Sequence, residues 1–219
     1  KCHSSIDCFN RCCGDVNLAL SPYDVMRLRI NLQIGSTEFM RKYAEVYPLS
    51  GNGFPCVMLS MRNDERQSCP FVTEEGCSVY DHRPGACRVY PLGRGASMDK
   101  EGKLSEEYIL VRESHCEGFW EDVLPITVSD YLNNQGMKNY IEYDNRYIQV
   151  MHRWNARGRA LDKKLFAKVF VAAYRPDELL NYLGDAAPSC DIVEKDDILS
   201  FETERLAFGL QWIEDVLFG

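Results

Sequence analysis

Cysteine is the residue type in this chain whose number and spacing could do chemistry. There are ten, at positions 2, 8, 12, 13, 56, 69, 77, 87, 116 and 190. Cys2, Cys8, Cys12 and Cys13 make a C-x5-C-x3-C-C-G entry. Cys69, Cys77 and Cys87 lie in CPFVTEEGCSVYDHRPGACRVYP, and Cys116 follows His115. Thiolates are soft ligands that select zinc or iron–sulfur centres over magnesium or calcium. Cys2, Cys8, Cys12, Cys13, Cys69, Cys77, Cys87 and Cys116 together offer twice what one tetrahedral site takes. Neighbouring side chains diverge, so Cys12 and Cys13 either serve different centres or divide into one ligand and one packing residue. A multinuclear or two-site arrangement follows from that surplus. Spacing does not separate zinc from iron–sulfur, but the surplus favours iron–sulfur. His3, His82 and His115 lie near cysteines and could each replace a thiolate; the spacing of His3 and His82 is not diagnostic, and His115 reads better as a core or surface histidine. Cys56 and Cys190 have no partners in sequence and read as ordinary thiols.

Other chemistry is poorly supported. Cys8-x3-Cys12 begins a cluster motif of the radical S-adenosylmethionine type, but Cys13 follows at once and position 15 is Asp. Gly93-x-Gly95 is too short for a nucleotide fingerprint. No H-E-x-x-H, G-x-S-x-G or kinase signature occurs. Arg83 and Arg88 flank Cys87, where a cation would lower a thiol pKa, or would tie the loop to carboxylates instead. Pro84 fixes the backbone just before Cys87. Tyr80 and Tyr90 would shield a centre or fill a core.

The elements that must position these residues come next. A chain of 219 residues can bury a core without disulfide staples. Ser21, Pro22 and Asp24 start a helix that Gly35 should stop, and a second helix is expected over Ser36–Tyr47. Phe54–Met61 and Leu104–Val111 read as strands and are expected to pair as a short hairpin. Residues 62–97 read as irregular, needing a metal for order. From Ser129 onward the periodicity is helical: Met137–Trp154, Asp162–Tyr174, a shorter helix from Pro176 to Gly184, and Asp196–Phe218. The expected fold class is therefore α+β and α-rich. A cysteine-rich region, 1–125, would be stapled by metal and packed on a helical region, 126–219, as one cooperative unit.

Charge limits the partners. The net charge is −8 and the pI about 5.1, which argues against nucleic acid. Residues 151–175 are the local exception, with Arg153, Arg157, Arg159, Lys163, Lys164, Lys168 and Arg175 against the single acid Asp162. They read as a solvated face or as a docking patch for an anionic substrate or an acidic protein partner. The longest apolar run, Leu165–Tyr174, is too short to span a bilayer. No signal segment is visible in a chain that begins at Lys, and the expected location is cytoplasmic.

Cys8–Gly14, the Ser-Pro-Tyr-Asp helix start and GCSVYDHRPGACRVYP together resemble the CxxCxxCC cysteine-cluster family over about residues 2–92. Its members are described as zinc- or iron-chelating proteins, and the flagellin lysine N-methylases are related. The resemblance implies metal ligation by Cys8, Cys12, Cys13, Cys69, Cys77 and Cys87. Arg83, Pro84, Arg88 and Pro91 match the family's R-P-x-x-C-R-x-x-P element. The gaps in the first motif, five and then three residues, depart from the spacing in the family's name. Three functions follow as expectations. The first is a metal-binding protein with a redox or structural centre. The second is a protein-lysine methyltransferase, and the third is a thiol redox sensor using reversible disulfides.

Overall fold

The computed structural model describes residues 2–99, 101–119, 124–184 and 197–219. Its first helix, α1 (Pro22–Leu32), begins where the cap residues dictate. The Ser21 hydroxyl accepts the Asp24 N–H, and the Asp24 carboxylate accepts the Ser21 N–H at 2.9 Å, a reciprocal capping box. The helix ends at Gln33, which takes the left-handed conformation at φ 54°, two residues before the expected glycine.

Helix α1 belongs by sequence to the cysteine-rich half and by packing to the helical core. Tyr23, Val25, Met26 and Leu28 are fully buried. They face α2 (Ser36–Tyr43), α5 (Lys138–Asn155), α6 (Lys163–Tyr174) and α8 (Ile198–Phe218). The Tyr23 ring stacks on Tyr143 and meets Tyr140 edge-on, both from α5. Arg29 is buried on the same helix and pairs with Glu202 of α8, 173 residues away in sequence. Asp177 lies 3.7 Å from the same guanidinium and accepts the Ser36 N–H at the start of α2. Pairing on both sides offsets the cost of burying these charges.

Helices α6 and α8 begin at Asp162 and Asp197, whose side chains accept the first free N–H groups. Asp196, where the last helix was expected to start, lies outside the described residues. At Gly209 a Cβ would stand 2.1 Å from the Ala172 carbonyl oxygen, so only glycine lets α8 press this closely on α6. The expected helix near 176–184 is the shorter α7 (Leu179–Leu183), and α4 (Val128–Asn134) precedes α5.

Three small antiparallel sheets complete an α-rich α+β fold. In the first, β3 (Pro55–Leu59) lies between β1 (Ala19–Leu20) and β2 (Ala44–Pro48). Its buried residues Val57 and Leu59 alternate with half-buried Cys56 and Met58. The helix expected over Ser36–Tyr47 therefore stops at Tyr43, and its last residues become an edge strand. Val46, Tyr47 and Pro48 suit an extended edge better than a helical turn. The pairing expected between Phe54–Met61 and Leu104–Val111 is also corrected. Both segments contain strands, but β7 (Leu104–Leu110) pairs with β6 (Leu92–Met98), in the register Leu92 opposite Leu110. Part of the stretch expected to be irregular is thus a regular hairpin. The second sheet is the two-residue pair β4 (Val72–Thr73) and β5 (Gly76–Cys77).

The β6–β7 hairpin docks on α5 through charge. Arg94 bonds Glu106 at 3.0 Å and reaches Asn145. Against the burial that would raise it, hydrogen bonds from Arg94, Asn145 and Tyr108 bring the Glu106 carboxyl down to about 2. Asp144, one residue away on α5, goes the other way. Burial first, and then the nearby Asp24 carboxylate, push it up to about 7, and its Oδ1 is buried without a hydrogen-bond partner. A carboxyl whose pKa rises on folding contributes its full stability below the unfolded value of about 4 and loses it as pH rises towards 7. Asp144→Asn should flatten that decline and raise stability at pH 8 by on the order of 2 kcal/mol. Thermal midpoints measured from pH 4 to 8 check this, and a variant with the parent's pH profile would contradict it.

Candidate metal centre

The cysteines reach one another because backbone ties hold otherwise irregular loops. Residues 11–13 form one turn of 3-10 helix. Beyond it Gly14 makes an antiparallel bridge to Ser68, and the Cys69 N–H donates to the Cys13 carbonyl at 2.7 Å. The Arg66 guanidinium donates to the Asn10 carbonyl, and the Asn10 amide to the Thr73 carbonyl. At Gly14 a Cβ would meet the Arg66 carbonyl oxygen at 2.9 Å, so this close approach requires glycine. These ties set Cys12 and Cys13 beside Cys69.

Cys77 arrives on β5. Cys87 arrives on the short helix α3 (Gly85–Val89), whose position is fixed from the core. The Asp24 carboxylate that caps α1 also accepts the Gly85 N–H, at 2.7 Å through its other oxygen. Asp24 is buried, and burial pushes its pKa up despite those hydrogen bonds. A third tie comes from residues 113–119. The Glu117 N–H donates to the Cys8 sulfur at 3.2 Å, and the Tyr90 hydroxyl donates to Glu113 at 3.1 Å beside the Cys116 thiol.

The thiols perturb one another. A hydrogen bond from Cys13, working against burial, brings Cys12 down to about 7. The same bond raises Cys13, with burial and the charges of Cys12, Cys69 and Cys87 adding to it. Cys87 is solvent-accessible yet surrounded by protein. Burial, then Cys69, Asp24, Cys77 and Cys12, push it up to about 12. Burial also raises Cys69 and Cys77, each helped by a neighbouring cysteine. Cys2 rises by burial and then through Cys12, Cys8 and Cys116. Each thiolate is thus costly while the others are ionised, and a bound cation reverses that cost.

Among the described residues, no three His, Cys, Asp or Glu side chains are already gathered so as to hold a metal ion. Cys12 and Cys13 are joined by a thiol–thiol hydrogen bond, and ligation takes rotation and deprotonation from the positions described. The donor chemistry nevertheless fits a thiophilic metal. Nine cysteines are described, all free thiols, and eight of them fall in this region.

Arg83 and Arg88 bond to neither carboxylates nor Cys87, although the Arg83 charge does favour the Cys77 thiolate. Arg83 donates to the Tyr80 carbonyl and to the Gln135 side chain, both at 2.6 Å. Arg88 donates to the carbonyls of Asp81, Arg83 and Gln135. They fasten the loop to carbonyls and to the α4–α5 corner, and the Cys87 thiol between them is raised rather than lowered. Tyr80 is exposed under the Arg83 guanidinium, 3.9 Å from its ring centre, and neither shields nor fills a core. The His82 Nδ1 is held by Arg27, so its ring is engaged with α1. His115 lies 3.3 Å from Glu113. His3 Nδ1 accepts the Ser5 N–H. Cys56 sits on β3, away from the group, and Cys190 lies outside the described residues. A polar groove of about 680 Å³ adjoins Cys12, with Asp7, Arg11, Arg66, Glu113 and His115 in its walls.

Several cations of the 151–175 stretch are engaged within the chain. Arg153 pairs with Glu214 at 2.8 Å and lies over Phe218, Arg159 lies over Trp154, and Arg175 pairs with Glu178. No described helix is long and apolar enough to cross a membrane.

The family model named CxxCxxCC, described as a putative zinc- or iron-chelating domain, matches residues 1–117. The chain belongs to the CxxCxxCC family. The matched span ends just after Cys116, so it holds all eight clustered cysteines of this CxxCxxCC chain as well as α1 and the three sheets. No match was found among curated proteins or among solved structures.

Gly14 offers a test of the ties. Gly14→Val should force the 12–14 and 66–69 segments apart at a cost of about 1–3 kcal/mol. Metal affinity should fall while the far-ultraviolet circular dichroism of the helices stays unchanged. Undiminished affinity would mean that this contact does not position the thiols.

Proposed function

We propose that this metal-binding protein holds an iron–sulfur or zinc centre through Cys8, Cys12, Cys13, Cys69, Cys77 and Cys87, with Cys2 and Cys116 as further ligands. Iron–sulfur is the favoured form. The observation that carries the reading is the convergence of Cys12, Cys13, Cys69, Cys77 and Cys87. They come from a 3-10 turn, a loop, a two-residue strand and a short helix, which the Cys69–Cys13 and Gly14–Ser68 backbone ties and the Asp24 bond to Gly85 bring to one region. A core built for packing alone does not assemble thiols that oppose one another in this way. When bound, the metal supplies positive charge and, if it is iron in a cluster, one-electron redox chemistry.

The chain's own residues do the rest. Asp24 holds α3 and with it Cys87. Arg83 and Arg88 keep the loop closed, and the Arg83 charge works against the burial that raises Cys77. The main-chain bonds between residues 13–15 and 66–69 hold the two halves of the motif together. Segments 2–18 and 62–91 contribute few buried apolar side chains, so ordering them has to draw on something besides the hydrophobic effect. The centre is therefore structural first, and any redox role is added to that.

Metal and acid-labile sulfide per chain, on protein purified without oxygen, test the reading. Brown protein with iron and sulfide in near-equal amounts is the expected result. Colourless protein with bound zinc would keep the chelation and replace the cluster. Chelation of either metal should loosen residues 2–92 before the helical half, seen as early amide exchange in that span. Reduced protein with no bound metal, and with thiol counts that change on adding oxidant, would instead support a disulfide redox sensor.

A further inference from the structure

Metal chelation leaves the cations of residues 153–164 unused, and they lie outside the span that the family model matches. Arg153, Arg157, Arg159, Lys163 and Lys164 stand there with one acid, Asp162, in a chain whose net charge is −8. The Asp162 carboxylate is already engaged, since it accepts the Leu165 N–H at 2.8 Å as the cap of α6. Arg153 is paired with Glu214. The other four are exposed, and among the described residues no carboxylate pairs with any of them.

These four cations sit on a turn that is fixed at both ends. Trp154 and Leu161 are buried on either side of it. The Leu161 N–H donates to the Asn52 carbonyl at 2.8 Å, and a Cβ on Gly53 would stand 2.9 Å from the Leu161 nitrogen. Gly158 turns the chain at φ 65°, and its N–H donates to the Asn155 carbonyl at 2.9 Å. Arg159 lies 4.9 Å from the Trp154 ring centre, and Arg157 lies 5.0 Å from that of Phe218 and 5.6 Å from that of Trp154. The aromatic faces thus hold both guanidinium groups in place. Their N–H donors remain available, in the fork that matches a carboxylate. Lys163 and Lys164 are the first two residues of α6. Their backbone N–H groups have no acceptor within the helix and add to the positive potential of that end.

We infer that the α5–α6 turn, through Arg157, Arg159, Lys163 and Lys164, is a docking surface for an acidic segment of another protein. Charge complementarity selects that occupant. The four cations lie within eight residues of chain, which suits a short run of Asp and Glu side chains. A long polyanion such as nucleic acid, or an anionic membrane, would extend past the turn and meet the negative charge of the rest of the molecule. The ring-held arginines lose little freedom on binding, and the two lysines steer the partner's approach. The surface operates whether or not the cysteines carry metal, so it stands or falls separately from chelation.

The test measures binding of a fluorescein-labelled hexaglutamate peptide to the full chain by fluorescence anisotropy. Binding is expected, weakening as salt rises from about 0.05 to 0.3 M. The variants R157E/R159E and K163E/K164E should each weaken it by roughly tenfold or more. Acids in the first turn of a helix are favourable, so K163E/K164E keeps α6 folded and decides the matter even where R157E/R159E uncovers Trp154 and fails to fold. No binding of hexaglutamate by the wild type overturns the proposal. So does equal binding by wild type and K163E/K164E with unchanged circular dichroism. A single-stranded oligonucleotide or phosphatidylserine vesicles bound more tightly than hexaglutamate, and lost in the same variants, would overturn the protein partner in favour of a phosphate-bearing one.

Discussion

Asp24 divides one buried carboxylate between two helix starts. One oxygen accepts the Ser21 N–H and closes the cap of α1, and the other accepts the Gly85 N–H and fixes α3. Helix α1 is the element around which α5, α6 and α8 gather. Helix α3 carries Cys87. The position of the sulfur group relative to the hydrophobic core thus passes through two hydrogen bonds to one side chain. A side chain at position 85 would crowd this contact, since a Cβ there would stand 3.3 Å from the Tyr140 ring. The Arg83 and Arg88 clamps on Gln135 then add a second connection from the same loop to the end of α4.

The same region works against ordinary protein chemistry. Burial penalises a thiolate, and so does each thiolate already present. A protein using these side chains only as small apolar fillers would gain by spreading them out. Here irregular loops collect them, at the cost of ordering backbone that has little apolar surface to bury. A cation is the simplest thing that makes both expenditures worthwhile. It favours deprotonation of every ligand and joins the loops directly.

Much of this was legible in the sequence, and what was missed has physical causes. The cap residues Ser21, Asp24 and Asp162 announce their helices because capping is local chemistry. The clustered cysteines announce the metal chemistry because few other uses explain their number. Strand pairing was not legible, since alternation marks a strand without naming its partner. Phe54–Met61 and Leu104–Val111 each hold a strand, yet they lie in different sheets. Residues 92–97 fell in the stretch read as irregular, and pairing along β7 makes them a strand. The second bond of Asp24, to a residue 61 positions away, leaves no mark in either local sequence. Nor does the engagement of Arg83 and Arg88 with carbonyls, because a cation beside a cysteine reads the same whichever way it turns.

The buried pairing of Arg29 with Glu202 bears on the order of events during synthesis. A chain made from its N-terminus presents α1 and all eight clustered cysteines well before α8 exists. Until then Arg29 lacks the partner that makes its burial tolerable, and α1 has no finished surface to pack on. The cysteine loops, which hang from α1 through Asp24, therefore wait as open thiols while the rest is translated. That interval exposes up to eight sulfurs to whatever oxidants and metals surround the ribosome. Correct loading then depends on how soon the last helix closes the core.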